Sequence, residues 1–365
     1  METRPHILHL SSALTWRGGE QQIAYLMEQL DLAGCKQSLY APDGSALATI
    51  LSARFHTITY RKRGGTDVIA ALELARIAKQ GYYDLLHCHD AHAHTTAILA
   101  VSLFRMRLPI VLYRRVIFEP GSSWLSRYKY RHPAIRRVVC VSDAVADVMR
   151  DYTHRADIVR VVPSGIDTEQ FDQAPRLDIR ERMGWPAETK VIMGLAALTE
   201  EKGIPEFIAA CRQLLMRYPE VRAVVFGEGD RRASLEQHIA RYNMQSHIRL
   251  PGFDAQAKLY LRSADVLLSP SHSEGLGTTI MEAFISGTPV VACPVGGVQE
   301  LILPERTGLT APVGDPAALA QQVARLLTDR ELRTRLTALA RRHVAHYDYR
   351  HLGTRMLAVY HEVLT

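Results

Sequence analysis

Short runs rich in Val, Ile and Leu alternate with segments of helical periodicity from one end of this 365-residue chain to the other. An unbroken apolar run of strand length suits a strand buried on both faces, whereas one open to water on one face alternates. HILHLSS, KQSLYAP, HTITY, DLLHCHD, PIVLYRR, RVVCVS and IVRVVPSG therefore predict parallel strands with helices on both sides of the sheet. Between them, Ile23, Leu26, Met27 and Leu30 recur at helical spacing. After Gly165 the polar, turn-rich stretch IDTEQFDQAPRLD interrupts the alternation and predicts a linker. The pattern restarts with KVIMGLAAL, a helix over 204–217, RAVVFGE, a helix from Asp230, HIRLPGF, a helix from Ala255, DVLLSPS, a helix from Gly277 and PVVAC. Residues 316–364 predict mostly helix. The expected fold is α/β, with two doubly wound Rossmann-like domains facing across a cleft. The linker divides the chain after residue 165, with ligands at the carboxyl ends of the strands.

The 47% hydrophobic and 22% charged composition excludes a disordered chain. METRPHILHLSS has no long apolar signal core, and no apolar run approaches membrane-spanning length. Five scattered cysteines, Cys35, Cys88, Cys140, Cys211 and Cys293, read as reduced core residues of a cytoplasmic protein. Residues 1–160 carry net +7 of the overall +6. Nine basic residues lie between Arg105 and Arg137 against Glu119 alone, interleaved with Phe118, Trp124, Tyr128 and Tyr130. That mixture fits either a peripheral contact with an anionic membrane or a solvated helix face. No motif for nucleic acid accompanies it.

The segment PSHSEGLGTTIMEA (270–283) carries the chemistry. A strand that ends in a Gly turn and opens a helix aims backbone N–H groups and a partial positive charge at one spot, which suits a phosphate. Glu274 sits in the turn and Glu282 lies about two helical turns on, with seven residues between them. Two carboxylates flanking a phosphate can accept hydrogen bonds from hydroxyls on either side, as a sugar nucleotide requires.

The ordered motifs resemble the retaining glycosyltransferases of family 4, whose fold is GT-B. The resemblance runs through WRGGEQQ, DLLHCHD, VCVSDAV, VVPSGIDTEQF, TEEKGI, GEGDRRASLE, PGF, SEGLGTTIMEA and GTPVVACPVGGVQEL. It implies a hexosyltransferase-type, metal-independent enzyme with no cofactor, the nucleotide sugar being a substrate. The implied acceptor is a glycan or lipid-linked hydroxyl in cell-surface polysaccharide or lipopolysaccharide assembly, on the inner face of the membrane. It also implies that the last helix, about 349–364, packs back on the N-terminal domain, so that residues 1–165 plus about 347–365 form one domain and 166–346 the other.

By the same resemblance, Glu274 holds the donor sugar, the amides of Gly275, Leu276 and Gly277 meet the diphosphate, and Glu282 grips the ribose. Lys202 in TEEKGI compensates the leaving diphosphate. Here the chain departs from the family: Ala197 stands where an arginine is common. Gly18 and Gly19 bring backbone close to donor and acceptor. His89 lines the site. On the residues alone, helix-end glutamates, a surface lysine, a plain strand–helix turn and a structural histidine remain the alternatives. The cluster HCHDAHAH invites a zinc reading, but strand alternation turns Cys88 away from His87 and His89, so no metal is expected. Two other functions share these features: a GT-B-fold sugar-nucleotide epimerase, and a nucleotide- or glycan-binding protein with weakened catalysis.

Overall fold

The computed structural model describes residues 4–171 and 174–365, so residues 172–173 of the expected linker lie outside the described residues. The chain forms two compact units: Met1–Gly165 with Tyr349–Thr365, and Ile166–Asp348.

The first unit is built on seven strands: β1 (His6–Leu10), β2 (Lys36–Pro42), β3 (His56–Tyr60), β4 (Leu85–Cys88), β5 (Ile110–Arg114), β6 (Ile135–Cys140) and β7 (Val159–Val161). Their order is β3-β2-β1-β4-β5-β6-β7, and every pairing is parallel. The sequence order reverses between β1 and β4, the switch point where the crevice at the carboxyl ends opens. Ile7, Leu8, Leu10, Leu85, Leu86, Ile110 and Val111 are fully buried, as a sheet covered on both faces demands.

The second unit holds β8 (Lys190–Leu195), β9 (Val221–Phe226), β10 (Ile248–Gly252), β11 (Val266–Ser269), β12 (Val290–Ala292) and β13 (Leu309–Thr310). The order is β10-β9-β8-β11-β12-β13, again all parallel, with the switch between β8 and β11. Ile192, Phe207, Ile208, Val225, Val266, Leu268, Leu319 and Val323 lie in one continuous core that joins sheet and helices. The segment expected as a helix from Ala255 is a 3-10 helix over Ala257–Ser263. The two-residue β13 has too short an apolar run to register as a strand in the sequence.

The chain returns to the first unit through the helix Arg350–Leu364, which packs on the first helix, Gly18–Leu32. A Cβ at Gly353 would sit 2.7 Å from Gln29 Cβ, so this crossing needs a residue without a side chain. Met356 and Tyr360 are fully buried, and the Tyr360 hydroxyl bonds His87 Nδ1 at 2.7 Å.

Candidate active site

In the second unit the predicted residues gather at the β8–β11 switch point. Beyond β8 the chain turns through a 3-10 helix, Glu200–Lys202, and Gly203 (φ 63°) starts the helix Ile204–Leu215. Beyond β11 lies the loop carrying Glu274. Lys202 Nζ donates to Glu274 Oε1 at 2.7 Å, and Ser271 Oγ donates to the same oxygen at 2.9 Å. The loops are stitched together by the His272 N–H on the Glu201 carbonyl at 2.8 Å. His272 Nε2 meets Glu206 Oε1 at 3.0 Å, so His272 faces a partner of its own.

The helix Thr278–Ser286 begins at Gly277, whose φ of 98° is the left-handed region open to glycine. No side chain caps this end, so the dipole and first-turn amides face the loop unscreened. Glu282 is different in kind from Glu274. Burial pushes its carboxyl up to about 7, with Lys258 pulling weakly the other way. Its carboxyl makes no hydrogen bond or ion pair with any described residue, although some of its surface stays accessible. A crowded carboxylate with empty lone pairs is suited to accept hydroxyl donors from a ligand.

Ala197 lies between the carboxyl end of β8 and Leu198, whose N–H donates to the Glu228 carbonyl at 3.0 Å. Arg231 comes from the loop after β9, donates its N–H to the Leu198 carbonyl at 3.0 Å and pairs loosely with Glu200 at 3.8 Å. Lys202, already paired with Glu274, and Arg231 are thus two positive charges that this unit's loops supply.

In the first unit, Gly18 and Gly19 open the first helix, and a Cβ at Gly19 would meet nothing within 4 Å. The preceding loop is fixed by Asp90, which accepts from Ser12 N at 2.7 Å and Ser12 Oγ at 2.5 Å. Asp90 also caps the helix Ala91–Phe104 through the N–H groups of His92 and Ala93.

His89 does not present a free imidazole. It is 4% exposed, with Nε2 on His9 Nδ1 at 2.9 Å and Nδ1 facing Arg115 NH2 at 3.4 Å. The parallel register sets His9 of β1 beside His87 of β4, a pairing that the motif HCHD alone could not reveal. The ring nitrogens of His9, His87 and His89 lie within 4.8 Å of one another, a set that could hold a metal ion. Cys88, as alternation required, is not among them. Burial holds all three imidazoles neutral, His9 down to about 4.

The basic segment is only partly at the surface. Arg114 turns inward to the Phe118 carbonyl and the Tyr130 hydroxyl, and Lys129 donates to the Ala91 carbonyl and Thr95 Oγ1 at 3.0 Å. Burial pulls Lys129 down to about 8. Arg131 is held by the Tyr152 carbonyl and Arg137 by Glu362. Arg105, Arg107, Arg127 and Arg136 remain exposed, as do Phe118, Trp124, Leu125 and Tyr128.

Known proteins bear on this arrangement. A profile described as Glycosyl transferases group 1 matches residues 175–343, and one described as Glycosyltransferase Family 4 matches residues 16–170. An uncharacterized glycosyltransferase of Methanocaldococcus jannaschii is 30% identical over 262 residues, 68% of this chain and 67% of its own length. The chain belongs to glycosyltransferase family 4. The phosphatidyl-myo-inositol mannosyltransferase of Mycolicibacterium smegmatis is 27% identical, spanning 98% of this family 4 chain and 89% of its own. A solved glycosyltransferase from Rickettsia africae superposes with a TM-score of 0.85 at 21% identity, covering 100% of this chain and 99% of that one. Anabaena HepE, solved with UDP and glucose, gives 0.84 at 19% identity, covering 98% and 100%. The fold of this family 4 glycosyltransferase is GT-B, and the family is one of retaining enzymes that take a sugar from a nucleotide-sugar donor.

Proposed function

We propose that this enzyme moves a hexose from a nucleoside-diphosphate sugar to a hydroxyl of a glycan or lipid-linked acceptor, without a metal ion. The observation that carries this reading is the Lys202–Glu274 pair beside the uncapped helix Thr278–Ser286, with the unpartnered Glu282 carboxyl about one turn along it. In this reading the diphosphate lies against the amides of Gly275, Leu276 and Gly277, Glu274 orients the sugar and Glu282 receives the ribose hydroxyls. Arrival of the diphosphate draws Lys202 toward it, and the ammonium with the helix dipole neutralises the charge that develops on departure. The departing phosphate accepts the acceptor's proton on the same face, so the protein contributes positioning and electrostatics instead of a nucleophile. His89 acts here through its neighbours, its ring being occupied.

The acceptor belongs to the first unit in this reading. Relatives named as D-inositol 3-phosphate glycosyltransferases, 28–29% identical, support an acceptor that carries phosphate. Exposed Trp124 (73%) and Leu125 (59%) near Arg127 support contact with an anionic membrane. No helix of the described residues is long and apolar enough to cross one.

The test is mass spectrometry of products from a donor-by-acceptor screen. Stoichiometric transfer is expected. Isomerised donor without acceptor would mean an epimerase, and tight nucleotide binding with neither outcome would mean a binding protein. Glu274→Ala should lower transfer at least about a hundredfold, the scale of removing one electrostatic or positioning group, with the fold intact. Near-normal turnover would reject the site.

A further inference from the structure

Arg115, just beyond the carboxyl end of β5, is a cation without a counter-ion. It forms no ion pair with any described carboxylate; Glu20 and Asp90 act on it only through space. Asp90 is occupied by Ser12, His92 and Ala93, and Glu20 by the Arg17 N–H at 2.9 Å. The guanidinium lies over the Tyr113 ring at 4.1 Å and is densely surrounded, while the residue as a whole is half-buried. Its NH1 donates to the His89 carbonyl at 2.8 Å and its NH2 faces His89 Nδ1 at 3.4 Å. Nε is buried with no partner. Two of the five N–H donors of a guanidinium are thus used.

The histidines around it are neutral, and their hydrogen bonds run in one direction. Arg115 has only donors, so His89 Nδ1 must accept and the proton sits on Nε2. That Nε2–H donates to His9 Nδ1, His9 Nε2–H donates to Gln37 Oε1 at 3.1 Å, and Gln37 Nε2 donates to the Met27 carbonyl at 2.9 Å. The chain ends on a backbone acceptor and contains no anion. It holds the guanidinium in place without discharging it. The same polarity argues against an ion among His9, His87 and His89. A metal on His89 Nε2 would turn Nδ1–H toward Arg115, donor against donor, beside a positive charge. Lys62 adds a second positive charge at this end of the sheet, its Nζ on the Ser12 carbonyl at 2.7 Å.

A cation kept from water and left unpaired is costly unless an anion completes it. We propose that Arg115 binds a phosphoryl group carried by the acceptor, with His89, His9 and Gln37 as positioning residues that fix the guanidinium. A guanidinium edge offers two parallel N–H donors to one phosphate, which suits a phosphomonoester or phosphodiester. The proposal specifies the acceptor class in the transferase reading, but phosphate binding needs no donor. Failure of transfer therefore leaves the titration below interpretable, and failure of the titration leaves transfer untouched.

The experiment titrates the full chain at low salt with inorganic phosphate, inositol 3-phosphate, unphosphorylated inositol and a nucleoside diphosphate, using calorimetry and phosphorus NMR. A vesicle arm compares phosphatidylinositol with phosphatidylcholine, to separate a lipid headgroup from a soluble ester. Wild type should bind phosphate or its ester, and Arg115→Gln should weaken that binding at least about tenfold, leaving the nucleoside diphosphate unchanged. Because Arg115→Gln removes an uncompensated charge, its melting temperature should equal or exceed that of wild type. His9→Asn should weaken phosphate binding less, by misplacing the guanidinium. The proposal is overturned if wild type binds no phosphate ligand up to about 10 mM, or if Arg115→Gln weakens only the nucleoside diphosphate. It is equally overturned if Arg115→Gln melts several degrees lower with phosphate binding intact.

Discussion

Glu282 allows the donor site to be tested through stability as well as turnover. Its carboxyl is held at about 7 instead of the ordinary 4.5, chiefly by burial. The folded protein therefore holds this proton more tightly than the unfolded chain between those two values. Stability falls as pH rises through that window, and the full penalty is felt above 7, where the buried carboxylate is charged. The gap corresponds to roughly 3 kcal/mol, and the surface still open to water reduces it to roughly 1–3 kcal/mol. Glu282→Gln removes the charge while preserving shape. At pH 8 the variant should melt higher by roughly 2–12 °C, on the scale of about 2–4 °C per kcal/mol for a unit of this size. The advantage should shrink to nothing near pH 4.5. Comparing wild type with variant at each pH cancels every other titrating group. The variant should also bind nucleoside diphosphate roughly 10- to 100-fold more weakly, since hydrogen bonds to a charged acceptor contribute about 1.5–3 kcal/mol. A variant less stable than wild type at pH 8, or a difference indifferent to pH, would refute the reasoning, because the carboxyl would then be satisfied within the fold.

Turnover should persist in EDTA, because in the proposed site Lys202 and the helix Thr278–Ser286 supply the positive charge; loss on chelation with recovery in magnesium would reject this. In flotation with anionic liposomes, wild type should associate at low salt and release at high salt. Replacing Trp124 and Leu125 together by Ala should abolish association without altering the melting temperature; equal flotation of both proteins would remove the membrane role.

Strands were legible because an apolar run buried on both faces has little freedom in how it folds. KQSLYAP and HTITY coincide with β2 and β3. The Glu274 turn was legible because its glycines, carboxylates and following helix are local in sequence. What stayed hidden depends on partners distant along the chain. Arg114 and Lys129 read as surface charge, yet carbonyls of Phe118 and Ala91 draw them inward. His89 read as lining the site, with a structural histidine as the alternative, but His9 meets it only because β1 and β4 lie side by side. Glu282 gave no sign of its shifted titration, which arises from three-dimensional crowding and not from its neighbours in sequence.

The C-terminal helix has a consequence for biosynthesis. Tyr360 reaches His87, and Glu362 pairs with Arg137 and Arg160, so the first unit is sealed by residues synthesised after the whole of the second unit. The middle of the chain can fold as soon as Asp348 emerges, whereas the amino-terminal portion must wait, unsealed, until residues 349–365 have followed. A nascent chain stalled between Asp348 and Tyr360 would carry a finished second unit and an open first one.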